Sequence, residues 1–189
     1  MVHDPSTPPA LAVLEVASIA RGLTVADAMV KRAEVRILRA DPVTPGKYLL
    51  VFAGSEEEVF EAMQAGRESA GADLIDQLLL YGAHRALLPA LEGMEVPAVD
   101  GSLGTLEMKT AAATLLSADA ALKMADVDLV ALHLCRGIDG KGYVVFTGAQ
   151  DAVEASLEAG DAAVRPELRA GRELIARPHP DVHWALSRL

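Results

Sequence analysis

The chain contains one cysteine, Cys135, in 189 residues. An intrachain disulfide is excluded, and such sparing use fits a reducing compartment, the cytoplasm. Aromatic residues make up only 4%, too few for a deep aromatic pocket. Basic residues are outnumbered, 17 Lys and Arg against 27 Asp and Glu, for a net charge of −10. With no basic face to neutralise phosphates, nucleic acid is not an expected partner. No apolar run approaches the roughly 20 residues of a membrane span, so no membrane partner is expected either. The opening MVHDPSTPPA lacks the basic and apolar regions of a secretory leader, and residues 1–9 are expected to form a short disordered tail. Apolar residues nevertheless reach 51%, with Ala, Val and Leu dominant. That supplies a core of small, closely packed elements.

The chain also contains itself twice. With Leu11 set against Leu103, LAVLEVASIARGLTVADAMVKRAEVRIL runs beside LGTLEMKTAAATLLSADAALKMADVDLV without a gap. Leu14/Leu106, Glu15/Glu107, Asp27/Asp119, Lys31/Lys123 and Ala33/Ala125 all coincide. A loop of different length follows, two residues longer in the second copy. The match then resumes at Gly46/Gly140 and Lys47/Lys141 and continues through Phe52/Phe146 to Gly66/Gly160. Two copies at so long a period indicate tandem domains rather than a solenoid. The expected domains are residues 10–93 and 102–189, joined near MEVPAVDGS at 94–102.

Each copy reads as β-α-β-β-α-β with a short helix behind it. LAVLEV alternates, as do AEVRILRA and ADVDLVALHL, and each is a strand. KYLLVFA and YVVFT are continuous β-rich runs of the kind buried on both faces. A helix is expected near 18–32, with Thr24 and Asp27 as a capping pair and Ser117 near Asp119 in the second copy. Ser55 followed by three acids opens another helix. DLIDQLLLYG and ELIARP are closing strands, trailed by helical tails at 84–92 and 180–188. The fold class is α+β, two tandem ferredoxin-like domains in unpermuted order, with helices over one face of an antiparallel sheet.

Candidate chemical sites were weighed one by one. GIDGKG at 137–142 fails the phosphate-loop pattern in both spacing and its last residue, and is better read as a tight turn. His179 and His183 have helical metal-ligand spacing, but Pro180 lies between them and no acid completes a set, so no metal site is expected. Glu56, Glu57 and Glu58 complement a helix dipole. Glu15 and Glu107 recur symmetrically, whereas paired-carboxylate catalysis needs two unlike environments. Cys135 has no histidine constellation around it. No set reads as catalytic, and no enzyme activity is expected. A tandem small-ligand-binding regulatory module stays open as an alternative.

ADAMVKRAEV with ADAALKMADV, the repeated loop-then-strand element, and ARPHPDVHWAL together resemble bacterial microcompartment shell proteins of the tandem-domain, trimer-forming class. The similarity is greatest to the propanediol-utilisation type, and it spans the chain from about Leu11 onward. It implies a structural shell tile in the cytoplasm: three chains forming a flat pseudohexamer around a central pore that passes small polar metabolites. Other shell proteins would be partners edge to edge, with encapsulated enzymes as further partners. The pore would be lined by Val43, Thr44, Pro45 and Gly46 from one copy, and by Cys135, Arg136, Gly137, Ile138, Asp139 and Gly140 from the other. Lys31, Lys123, Arg177 and His179 would lie on the tile edge. In the first copy His84 matches the histidine, but Tyr81 and Gly82 stand where Arg-Pro is expected. Some relatives place a cysteine before the Pro-Gly-Lys, and three such thiolates hold an iron–sulfur cluster on the axis. Here that residue is Thr44, a poor ligand, so no cofactor is expected. Cys135 in the other copy is the alternative route to a cluster.

Overall fold

The computed structural model describes residues 10–93 and 99–182, and the expected tail at 1–9 and most of the joining segment lie outside these. The chain divides into two compact units between Ala83 and His84. In the first unit, β1 (Ala10–Val16), α1 (Ile19–Arg32), β2 (Arg36–Val43), β3 (Lys47–Gly54), α2 (Glu56–Ala70) and β4 (Leu74–Leu80) follow in order. The second repeats the plan with β5 (Ser102–Met108), α4 (Ala111–Met124), β6 (Val127–Leu134), β7 (Gly142–Gly148), α5 (Gln150–Ala162) and β8 (Arg169–Ile175). A short helix, α3 (Leu87–Leu91), precedes β5. By the repeat α3 is the tail of the first copy, yet it packs against β6 of the second unit. Of the second expected helical tail, residues 180–182 are helical and the rest lies outside the described residues.

Each unit holds a four-stranded sheet, in the order β2-β3-β1-β4 and β6-β7-β5-β8. Every neighbouring pair is antiparallel. The two helices cover one face. In the first unit Leu14, Leu50 and Phe52 of the sheet meet Val25 and Met29 of α1 and Val59 and Met63 of α2. The alternate residues of β1 and β3, Leu11, Val13, Leu49, Val51 and Ala53, are buried as well; the unbroken apolar run of β3 led one to expect this, whereas β1, read as alternating, is buried along its whole length.

Gly66 and Gly160 explain why a glycine recurs late in each long helix. A Cβ on Gly66 would sit 2.5 Å from the Leu14 side chain, and one on Gly160 would sit 2.5 Å from that of the equivalent Leu106. Only glycine lets these helices lie so close to the central strand.

The capping expectation needs correction. Helix α1 is capped by Ser18, whose Oγ accepts from Arg21 N, and α4 by Thr110, whose Oγ1 accepts from Ala113 N. Thr24 lies mid-helix and its hydroxyl donates back to the Ala20 carbonyl. Ser117 is likewise mid-helix and buried. Asp27 and Asp119 do not cap but hold Lys31 and Lys123 one turn on, each at 2.6 Å. Helix α2 follows expectation, with Ser55 and Glu58 forming a reciprocal capping box.

Strand register also corrects the reading of the tails. Leu80 pairs with Leu11, and Ile175 pairs with the equivalent Leu103. Residues 81–83 therefore answer to 176–178, which sets Gly82 and Ala83, not Tyr81 and Gly82, opposite Arg177 and Pro178. His84 still matches His179.

Candidate functional site

The two β-β loops differ where the sequence differs. Between β2 and β3 the chain turns through Thr44, Pro45 and Gly46, with a cis peptide before Pro45. Gly46 N–H donates to the Val43 carbonyl at 2.9 Å. Its φ of +121° is one that side chains rarely adopt, which accounts for the glycine. Thr44, Pro45 and Gly46 are exposed, while Val43 is buried at the loop's foot.

Between β6 and β7 the longer loop coils through left-handed conformations at Cys135, Gly137, Asp139 and Gly140. Lys141 N–H closes it on the Ile138 carbonyl at 3.1 Å. Arg136, Gly137, Ile138 and Asp139 form its exposed crest. Cys135 is fully buried, and its thiol donates to the Gly140 carbonyl at 2.8 Å. Val43, Cys135 and Gly140 are thus corrected from loop lining to loop support. Their side of the chain faces the domain interior, because they end or brace the flanking strands.

These donors do not fit an iron–sulfur cluster. The position before Pro45 carries a hydroxyl rather than a thiolate. The one thiol, at Cys135, is turned inward and bonded to a carbonyl. Among the described residues no group of three His, Cys, Asp or Glu converges as metal ligands; His183 lies outside them.

The repeated Gly-Lys has a role that separate inspection of its residues missed. Lys47 Nζ reaches Glu15 on β1 at 2.6 Å, and Lys141 reaches the equivalent Glu107 at 2.9 Å. Two residues that recur together in both copies were the available signal for a pair. In the first copy the ion pair is buried, and in the second half-exposed. The pair ties the start of the inner strand to the central strand, just below the loop.

The lysines expected on the tile edge sit on the last turns of α1 and α4. Lys31 is exposed beside Asp27. Lys123 lies beside Asp119, which also accepts from the backbone N–H of His84 at 2.7 Å. Burial lowers the His84 pKa below its ordinary 6.5; Asp119 opposes the shift, and Arg85 and Lys123 add to it. Arg177 and His179 are exposed beyond β8. Of the four residues expected on the edge, Lys31 and Lys123 stand at equivalent places on α1 and α4, and His179 matches His84.

The chain is thus a twice-repeated β-α-β-β-α-β domain whose β-β loops are exposed and differ between the copies. The family described as BMC domain matches residues 10–82 and again 102–178, and the chain belongs to that family. It is 37% identical over 171 residues to the bacterial microcompartment shell protein PduT of Citrobacter freundii, covering 90% of this chain and 93% of that protein. A solved microcompartment protein from Desulfitobacterium hafniense superposes with a TM-score of 0.85 at 34% identity, over 92% of this chain and 97% of that one. The fused permuted hexameric shell protein MSM0275 of the RMM microcompartment gives 0.64 at 25% identity, over 82% and 80%. The protein is a structural component of a bacterial microcompartment shell. Among the described residues no helix is long and apolar enough to cross a membrane.

Proposed function

We propose that three chains close into a pseudohexameric tile whose axis is ringed by two alternating kinds of loop. The observation that carries this is the repeat itself. The two copies share their core, the side-chain caps of α1 and α4 and their Glu–Lys pairs, and diverge at the β2–β3 and β6–β7 loops. A single-domain hexamer must present six identical loops at its axis. A tandem trimer presents three of each kind while still closing by rotation. The pore would be lined by Thr44, Pro45 and Gly46 alternating with Arg136, Gly137, Ile138 and Asp139. Such a ring is polar and of mixed charge, suited to small polar metabolites.

The tile would act without catalysis and without a cofactor. The nearest thiol to the loops is buried, and the relatives are shell components. Protein purified anaerobically should be colourless and free of iron; stoichiometric iron with thiolate-to-iron absorption would contradict this. Lys31 and Lys123, with Arg177 and His179, would meet neighbouring tiles edge to edge. Electron microscopy should show sheets or tubes from the wild-type protein. The Lys31→Ala, Lys123→Ala double variant should form trimers but no sheets. Loss of the trimers would contradict the placement of these lysines at the outer edge.

A further inference from the structure

The longer of the two β-β loops has a backbone that its counterpart lacks. From Cys135 to Asp139 φ changes sign at every step. It is +58° at Cys135, +74° at Gly137, +55° at Asp139 and +75° at Gly140, and the intervening Arg136 and Ile138 are not left-handed. Two of these four left-handed residues carry side chains, an arrangement that costs free energy and concentrates at functional sites. Alternation of hand turns successive amide N–H groups towards one side of the chain. The result is a concavity suited to an anion.

The donors of this concavity are not used within the fold. Lys141 N–H closes the loop on the Ile138 carbonyl. The N–H groups of Gly137, Ile138, Asp139 and Gly140, however, donate to no acceptor among the described residues. Gly137, Ile138 and Asp139 are exposed, so an incoming group can reach them. From below, the buried Cys135 thiol fastens the loop through the Gly140 carbonyl. The β2–β3 loop has no such row. Pro45 has no N–H, and the N–H of Gly46 is already given to the Val43 carbonyl at 2.9 Å. The longer loop of the second copy therefore adds donors and not only length. GIDGKG fails the phosphate-loop pattern, and a strand rather than a helix follows it, yet its backbone presents amides as such a loop does.

We propose that the β6–β7 loop is an oxyanion site, in which the N–H groups of Gly137, Ile138, Asp139 and Gly140 cradle the phosphate or carboxylate group of a small metabolite. Two charges stand on the same exposed crest: Arg136 favours an anion there and Asp139 opposes it. Lys141 is not the ligand, because Glu107 holds its ammonium at 2.9 Å. A few hydrogen bonds to one charged group, made in water, give a dissociation constant on the order of millimolar. Binding that weak lets a solute enter and leave, as conduction needs. Anion binding is a property of the single chain. Its place at a pore rests on the ring proposed above, where the site would occur three times and favour anionic over neutral metabolites.

The test is amide NMR of the full chain labelled at glycine, titrated with sodium phosphate and separately with sodium acetate at constant ionic strength. Two variants accompany the wild type. One has residues 135–140 replaced by the first copy's residues 43–46. The other is Asp139→Asn, which tolerates the left-handed backbone and removes the charge. Circular dichroism checks that both fold. In the wild type the signals of Gly137 and Gly140, identified by their change in the loop-exchanged variant, should shift saturably through the millimolar range. The anion that shifts them tells phosphate from carboxylate. The loop-exchanged variant should lose these shifts, and Asp139→Asn should bind about threefold more tightly, as removal of one like charge in solvent requires. No shift of the two glycines with either anion would overturn the site, and so would unchanged affinity in Asp139→Asn. Sedimentation velocity on the same samples separates the site from the ring. A monomer that binds keeps the site and refutes the ring; a trimer that does not bind keeps the ring and refutes the site.

Discussion

Glu15 and Lys47 show how much a single pair can carry. A carboxylate with no exposed surface on a central strand is held by an ammonium 2.6 Å away. Lys47→Met removes that counter-charge from a buried carboxylate, and should cost about 3–5 kcal/mol. Lys141→Met breaks the half-exposed counterpart, and should cost less than about 1 kcal/mol. Urea unfolding of the two variants side by side checks the difference. His84 makes a pH prediction. Burial lowers its pKa, and a neutral Nδ1 is needed to accept from Ala86 N. A histidine with a folded pKa below its unfolded value contributes stability above pH 6.5 that is lost as pH falls through the folded pKa. The unfolding midpoint should therefore drop between pH 7.5 and 5.5, and His84→Asn should flatten that drop. An equal drop in the variant would assign it to other groups.

At the level of elements, the copies predict each other's tolerance. Gly160→Ala pushes a Cβ to 2.8 Å from the backbone carbonyl of Ser117, whereas Gly66→Ala meets only the side chains of Leu14 and Met29. Backbone cannot swing aside and side-chain ends can. Gly160→Ala should destabilise by about 1–3 kcal/mol, while in Gly66→Ala the gain in helix propensity of about 1 kcal/mol offsets part of the strain. Thermal unfolding of both variants would show the ranking. Strands, helices and their order were legible in the sequence because two copies of the same alternation reinforce each other. Helix starts were not: Ser18 and Thr110 stand at equivalent places but as two different residues, so they leave no identity in the repeat, and Thr24 offered a false signal. The loops were legible as variable but not as surfaces. Whether Cys135 faces out or in depends on a left-handed backbone at that residue, which nothing in its neighbours' side chains announces.

At the scale of the whole molecule, two copies share one core plan and differ at their loops. Those loops are held on buried supports while their crests vary. Both features follow if the functional object is a ring of three chains. A cryo-electron microscopy reconstruction of the purified particle tests this most directly. The account predicts a three-fold ring of chains with Thr44 to Gly46 and Arg136 to Asp139 alternating around the axis. A ring with these loops on its periphery, or a particle with no three-fold axis, would contradict it.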